Sequence, residues 1–547
     1  MTRMGRVPVL IVGGGAVGLT LAMDLAWRGV RVTVIEPRGR AEPPPPKCNH
    51  ISARSMEIYR RLGVAGKLRN AGLPADYPND ISYRTSFVGR ELTRIPIPCR
   101  RDRYDAADGP DCGWPTPEPP HRLNQIFMEP ILADHAAQMH GAEIVYRNEV
   151  VDYEPSGSGV IVTIRCLERN EIWRMSCDFL IGCDGGRSTV RRRMGAKLEG
   201  DDVLQRVQST YIRAPSLLGL QQEEPAWASF TLSPVRSGNV YAIDGRERWV
   251  VHNYLKPDES GFDAVDRDWA IRSILGVGEG FDYEVLMEMD WFGRRLVADR
   301  FRRDRVFLCG DSVHIWVPYA GYGMNAGIAD AANLAWLLAE HLEHRAPYEI
   351  LEAYERERQP ITQQVSYFVM DHAHAMASQR GAVPENLEKD SAAGEAARRD
   401  LGHKAYDLNV QQYCAAGLKF GYFYDDSPLI AYDGEEAPGY TMAEFTPSTV
   451  PGCRLPHFWL GNGRSLYDAL GAGYTLLRLD PEIDVGPIVA AAGEYLSLAL
   501  LDIVPADAGP IYDRKLILAR PDQHIAWRGN ALPDDLPALI RRIRGGG

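Results

Sequence analysis

The feature that most constrains this chain is a glycine triplet, Gly13, Gly15 and Gly18, in the spacing GxGxxG. It lies between a continuous apolar run, Val7 to Val12, and a segment from Ala16 to Trp27 with Leu19, Ala22, Met23 and Ala26 on one face. A second apolar run, Val30 to Ile35, follows and ends on Glu36. Unbroken apolar runs rich in β-branched residues mark strands buried on both faces, and the periodicity between them is helical. The stretch therefore predicts strand, tight turn, helix, strand. In that setting Gly13 makes the turn, Gly15 lets a pyrophosphate approach, and Gly18 packs helix on strand. Ala16 and Val17 open the helix whose N–H groups would face the phosphates. A carboxylate at Glu36 would accept from adenosine ribose hydroxyls and disfavour a 2′-phosphate, which fits FAD or NAD better than NADP.

A second stretch of the same character runs from Arg305 to Asn333. A buried strand (Val306, Phe307, Leu308) breaks at Gly310-Asp311. A loop then passes through Pro318, Gly321 and Gly323, and a helix is expected from near Asn325. Glycines let a main chain approach a flat ligand closely, and a helix N-terminus offers unpaired N–H groups to a developing anion.

The 547 residues predict about two to four domains with ample core. A net charge of −12 argues against nucleic acid as a partner. The nine cysteines are odd in number and include no CxxC pair, which indicates a reducing compartment and no structural zinc. Val7 to Val12 is too short for a signal peptide core, and no apolar span of roughly 18 residues follows. The expectation is a cytoplasmic protein without its own membrane anchor.

Between the two glycine stretches the chain alternates. Pro43 to Pro46 is stiff and extended, and a helix is expected from Ser55 to Leu62. Asp76 to Trp114 is turn-rich, Pro115 to Pro120 is a second stiff linker, and a helix is expected from about Phe127 to Gln138. Ala142 to Tyr146, Glu149 to Tyr153, Gly159 to Cys166 and Glu171 to Met175 alternate with period two, as in an antiparallel layer. Phe179 to Ser188 is again strand, tight turn and helix, through Asp184-Gly185. From Asp201 to Arg295 short alternating strands carry many aromatics. Helices are expected at Ala326 to His341 and Tyr348 to Gln359, followed by a polar, Ala-rich region, Asp371 to Asp400, that is helical or partly mobile.

Gly310-Asp311, His314, Pro318, Gly321-Tyr322-Gly323-Met324-Asn325, Gly327, Asp330 and Asn333 resemble the second FAD motif of the single-component flavin-dependent aromatic hydroxylases, the family of phenol hydroxylase, 2-hydroxybiphenyl monooxygenase and p-hydroxybenzoate hydroxylase. Tyr322 stands where that family often has Gln. The resemblance implies that Asp311 holds the ribityl chain, that Pro318 and the Gly-rich loop lie along the isoalloxazine, and that the following helix points at the pyrimidine end. Lys47 to Glu57, with Arg54 and Glu57 in the family's Arg-(Ser/Thr)-x-Glu pattern, resembles the segment passing under the flavin. Arg122 and Gln125, followed by Glu129, resemble a contact to the flavin side chain. Asp184-Gly185 resembles the motif that touches the pyrophosphate region and the nicotinamide donor, although Asp184 also suits a simple helix cap.

The implied architecture is α/β (α+β). A Rossmann-type FAD-binding domain like that of p-hydroxybenzoate hydroxylase takes residues 1–75, 115–195 and 296–375, and a β-sheet substrate domain takes 76–114 and 196–295. A helical linker spans 376–440, and a thioredoxin-like domain without CxxC spans 441–547, with packing or homodimerisation as its role. The implied chemistry is a cycle in which NAD(P)H, bound transiently, reduces FAD. Oxygen then adds at the flavin C4a, and the distal oxygen of the hydroperoxide passes to a phenol. His50, with a pKa near neutrality, would take the phenolic proton, with His252 in the run WVVHNY as the second candidate and Pro318 on the loop beside the reacting ring. The helix opening at Asn325 would stabilise the reduced flavin. A flavin halogenase would need two tryptophans two residues apart, and this sequence has no such pair. An epoxidase or hydroxylase of a non-phenolic substrate on the same fold remains open, as does a flavin redox sensor, which would show no substrate-stimulated NAD(P)H consumption.

Overall fold

The first apolar run forms the strand Gly5–Val12 at the centre of an eight-stranded sheet. It pairs in parallel with Val32–Glu36 on one side and with the strand Glu171–Gly182 on the other. Ala142–Tyr146 and Val306–Leu308 extend the parallel set outward. The computed structural model describes residues 5–47, 49–493 and 495–546; Cys48, inside the segment matched to the flavin underpass, lies outside them. Burial on both faces explains the composition: Val9, Leu10 and Ile11 are fully buried, as the unbroken apolar pattern requires.

The helix Ala16–Trp27 has the expected bounds. It packs against a second helix, Tyr322–Leu342, which starts earlier than Asn325 because Gly321 takes a left-handed φ of 58° and turns the chain directly into it. Their contact is possible only without side chains at the crossing. A Cβ on Gly327 would lie 2.7 Å from Val17 Cγ2 on the first helix, while one on Gly18 would lie 2.0 Å from the carbonyl oxygen of Gly13 in the turn before it.

Glu171 to Met175 and Phe179 to Ile181, read as separate strands, are one strand of 12 residues. Its outer part pairs antiparallel with Gly159–Cys166, and its inner part runs parallel to Gly5–Val12. No glycine or proline stands between the two parts, so nothing breaks the chain where its partner changes.

A second eight-stranded sheet holds the strands Glu284–Glu288, Gln205–Arg213, Arg248–Tyr254, Gly238–Ala242, Ala228–Thr231, Ile81–Arg84 and Glu91–Ile95 in that order, with Trp291–Gly293 also paired to Gln205–Arg213. One of its faces packs on the helix Arg267–Leu275 through Trp249, Val251, Ile271 and Ile274. The helix Glu352–Gly381 runs 30 residues straight through Pro360 instead of ending at Gln359. Ile361, Val365 and Val369 are buried beyond the proline, so tertiary packing overrides the lost backbone bond. The polar region after it is ordered as the helix Ala392–Tyr413, where Gly402 lies close against Leu92.

The C-terminal part is a thioredoxin-like unit. Its four-stranded sheet pairs Tyr474–Arg478 in parallel with Leu498–Asp502, and antiparallel through Leu516–Ala519 to Ile525–Gly529. It is bound deeply to the rest. Arg520 donates to both oxygens of Glu357 at 2.6 and 2.8 Å, and Arg454 pairs with Glu57. Among the described residues no helix is long and apolar enough to cross a membrane, and no group of side chains is arranged to hold a metal ion.

Candidate active site

The C-terminal ends of the parallel strands in the first sheet converge on one mouth, the place where such sheets take ligands. At its start Glu36 accepts from the Gly14 N–H at 2.6 Å, and from the main chain and Nε of Arg38 at 2.9 and 2.7 Å. Arg38 also donates to Glu129 at 2.9 Å, and Gln125 donates to the other Glu129 oxygen at 3.0 Å. Arg38 thus bridges two carboxylates, a role the fingerprint did not disclose. Burial draws the Glu129 pKa above the usual carboxylate range. A Cβ built on Gly15 would meet nothing closer than a Glu129 oxygen at 3.7 Å, so the main chain there is open to a phosphate.

Gly310 sits at φ 63°, with Val17 3.0 Å from where its Cβ would be. Asp311 follows with an exposed carboxylate that no hydrogen bond or ion pair among the described residues engages. Pro318 leads into a short turn, Tyr319–Gly321. The long helix beyond has no side-chain cap, which leaves its first N–H groups open. Around Gly323 a Cβ would meet only Trp316 Nε1 at 3.7 Å, and that indole N–H is buried without a partner. An uncapped helix, an unused carboxylate and a bare glycine edge fit a flat group with polar edges such as an isoalloxazine on a ribityl chain. Met324, one turn into the helix, packs with Ala16 and Met56.

Several of the expected residues have partners within the protein. The Asn325 side chain is fully used by protein: Oδ1 accepts from the Ser52 N–H at 2.8 Å and the Ser55 hydroxyl at 2.7 Å, while Nδ2 donates to the carbonyls of His50 and Gly321. It latches the underpass segment to the loop. Asp184 caps the helix Thr189–Met194, accepting from Ser188 Oγ at 2.5 Å and the Thr189 N–H at 2.6 Å, while Gly185, at φ 75°, is open. Arg54 gives its guanidinium to Glu57 at 2.9 Å, to Gln523 and to the Asp522 carbonyl at 2.6 Å, so it works at the junction with the C-terminal unit. Lys47 is exposed, and its carbonyl accepts from Asn124 at 2.9 Å.

His50 lies beneath the loop: a Cβ on Gly321 would meet the His50 Cβ at 2.9 Å. Its Nδ1 is engaged by Arg122. Burial first, and then the positive charges of Arg122 and Lys419, push its pKa well below the ordinary imidazole range. The expected value near neutrality is thereby corrected, because the sequence could not show which cations the fold brings beside it. Arg122 itself lies over two rings, its guanidinium carbon 4.7 Å from the Trp227 centroid and 5.7 Å from that of Tyr413.

Those rings belong to an aromatic wall. Strand register places Val250, His252 and Tyr254 on the same sheet face as Tyr241, Asn239, Phe230 and Tyr83. Phe230 stacks on Tyr83 at 5.2 Å, and Trp227 and Phe230 both meet Tyr413. Asn239 donates to the Tyr254 and Tyr241 hydroxyls at 2.7 and 3.2 Å. His252 lies between Tyr241, Tyr254 and Trp291, and burial lowers its pKa to about 4. The loop meets this sheet where Tyr319 bonds Gln205 at 3.1 Å and Val317 lies against Gly293.

A family model described as FAD binding domain matches residues 6–369, and one described as aromatic-ring hydroxylase, C-terminal, matches residues 448–546. This chain belongs to the single-component FAD-dependent aromatic hydroxylases. Relatives of the hydroxylase along its whole length include the phenol 2-monooxygenase of Pseudomonas sp. (strain EST1001), 27% identical over 98% of this chain and 91% of its own. Another is the FAD-dependent monooxygenase apdD of Emericella nidulans, 29% identical over 96% of this chain and 88% of its own. Among solved structures, the rebeccamycin biosynthetic enzyme RebC with reduced flavin superposes with a TM-score of 0.90, at 31% identity and 100% coverage of both chains. The hydroxylase is a flavoprotein monooxygenase with FAD as its cofactor.

Proposed function

We propose that this enzyme hydroxylates a phenolic aromatic substrate, with NADH or NADPH as transient electron donor and O2 as oxygen source. The observation that carries this reading is the wall of Tyr83, Phe230, Tyr241, His252 and Tyr254 set opposite the loop Trp316–Gly323, with a histidine at their junction. Stacking and edge contacts on such a wall hold an aromatic ring. Bound FAD supplies electron transfer and oxygen activation.

The chain's own residues do the remainder. The Asp311 carboxylate and the open glycine edges at Gly15 and Gly323 bind and orient the cofactor, and the uncapped helix N-terminus places partial positive charge beside it. Glu36 and Arg38 serve its ribose end. Arg122 donates to Nδ1, so the neutral His50 ring carries its own proton on Nε2, and it takes the phenolic proton at Nδ1 as the substrate hydroxyl displaces Arg122 there. Its low proton affinity keeps the resting imidazole neutral and able to accept, and makes it hold the proton only briefly. Pro318 carries the loop across the ring, His252 is the second position for proton transfer, and the buried wall keeps water away. Relatives named putative polyketide hydroxylase, and aklavinone-11 hydroxylase solved with FAD and aklavinone, support a fused-ring substrate within this class. The eight described cysteines are all free, which supports a reducing, cytoplasmic setting.

The decisive experiment follows NADH and NADPH oxidation by the purified yellow protein against a panel of one-ring and fused-ring phenols, with hydrogen peroxide measured in parallel. Substrate-stimulated oxidation that outruns peroxide formation is expected. Stimulation by alkenes alone would replace the phenol with the epoxidase reading, and no stimulation by any compound would leave a redox sensor.

A further inference from the structure

Behind His50 lies a buried group of charges that the chemistry above does not use. Arg103 and Asp111 pair at 2.7 Å, both almost fully buried. The other Asp111 oxygen accepts from Trp114 Nε1 at 3.0 Å, so each carboxylate oxygen already has a donor. Two further cations remain, Arg122 at 5% exposure and Lys419 at 0%. Among the described residues neither forms an ion pair with any carboxylate. Arg122 gives one N–H to His50, while its Nη2 is buried and unpartnered. Lys419 reaches the Tyr413 carbonyl at 3.4 Å and otherwise lies over the Trp114 ring, 4.4 Å from its centroid. Asp111 attracts both Arg122 and Lys419, yet one carboxylate then serves three buried cations; such an excess of buried positive charge is costly, and an anionic ligand relieves it.

Their position says which ligand. The pyrophosphate end of the cofactor site, at Gly13 to Gly18, has its own arginine in Arg38. Arg122 instead lies on Trp227 and Tyr413, whose rings continue into Phe230 and Tyr241 on the substrate wall. We infer that Arg122 and Lys419 form an anion subsite that receives a carboxylate carried by the aromatic substrate. The inference rests on the aromatic-substrate reading of the wall. A guanidinium offers a planar fork that matches a carboxylate, and an ammonium beside it adds a point charge. Burial and the neighbouring Arg122 draw the Lys419 pKa down to about 7, and an incoming carboxylate would restore its hold on the proton.

The test uses the FAD-loaded enzyme and two probes of equal shape, a hydroxynaphthoate and the matching hydroxynaphthamide, with binding read from the flavin absorbance change. The acid is expected to bind roughly ten- to a hundred-fold tighter, the worth of a charge-assisted hydrogen bond. Arg122→Gln and Lys419→Met should each remove most of that preference, and Arg122→Lys should keep part of it. Equal binding of acid and amide to the wild-type enzyme overturns the subsite, as does a preference that survives in both neutral variants. Should Arg122→Gln fail to fold, the wild-type comparison and Lys419→Met decide. Acid preference without any stimulated NAD(P)H oxidation would leave the subsite standing and remove the hydroxylase reading. Turnover confined to neutral phenols would do the reverse.

Discussion

His314 reaches across the flavin loop to Asp330, its Nε2 2.9 Å from a carboxylate oxygen, with both side chains fully buried. The same oxygen accepts from the Gly310 N–H at 3.3 Å, and the other accepts from Arg358 Nε at 2.9 Å. Asp330 therefore fixes the Gly-Asp turn without facing the mouth itself. Asp330→Asn should cost about 3–5 kcal/mol, because it leaves Arg358 buried with no counter-charge, and should loosen FAD through the displaced turn. Thermal melts and flavin retention on gel filtration measure both; unchanged retention would show that the turn holds itself.

The junction with the C-terminal unit gives a second test. Arg520 lies between Glu357 and Asp522, with all three side chains buried. Arg520→Met should destabilise the protein by about 3–5 kcal/mol, and adding Glu357→Leu should recover part of the loss, since Asp522 stays unpaired. Truncation before Thr441 removes Arg454 and Arg520 together, taking the Arg520 ion pair from Glu357 and leaving Glu57 with Arg54 alone. The remainder should not accumulate as a folded flavoprotein. A soluble truncated protein with normal flavin content would contradict this.

His50→Ala should bind FAD yet hydroxylate about 10²–10⁴-fold more slowly, the usual worth of a general base, with more reducing equivalents lost to peroxide. The defect should shrink at higher pH or with a more acidic phenol. Because His50 also fills the space under Gly321, His50→Gln serves as the bulk-preserving control. Wild-type coupling and rate in both variants at neutral pH would move the base elsewhere, with His252 next.

Stability should also fall on the acid side for an identifiable reason. His121 is buried, bonds the Leu68 carbonyl at 3.0 Å, and has its pKa lowered to about 3 by burial and by Arg69. The unfolded chain takes up this proton near pH 6.5 and the folded chain does not. Its contribution is therefore complete above about 6.5 and is lost as pH falls toward 3, at up to about 1.4 kcal/mol per pH unit. His121→Gln keeps the donor to Leu68 and should flatten that slope, read from urea midpoints at saturating FAD. An unchanged slope would assign the acid lability to other groups.

What the sequence disclosed follows from how each constraint is written. Gly13, Gly18 and Gly327 are legible because a Cβ at each would collide with main chain, and no other residue substitutes. The aromatic wall was visible only as a composition, since strand register alone decides that His252 shares a face with Asn239 and Phe230. The ring contacts of Arg122 were not legible, because Arg-x-x-Gln carries no mark of direction and Trp227 and Tyr413 come from distant segments. Lys419, in the run AGLKF, reads as an ordinary surface lysine until Trp114 and Asp111 are folded over it. Arg38 was hidden for a similar reason: its second partner, Glu129, is brought to it by tertiary packing.

The crossing of Gly310, Gly327 and Val17 has a consequence for how the cofactor leaves. Val17 lies at the start of the helix proposed to face the pyrophosphate, Gly310 opens the turn before the loop proposed to carry the isoalloxazine, and Gly327 lies against both, 2.7 and 2.8 Å from where its Cβ would stand. In the proposed site one joint would therefore clamp both ends of the dinucleotide. FAD should dissociate in a single kinetic phase, adenine and flavin ends together, and Gly327→Ala should speed the release of both ends equally, as if a shared rivet had been drawn.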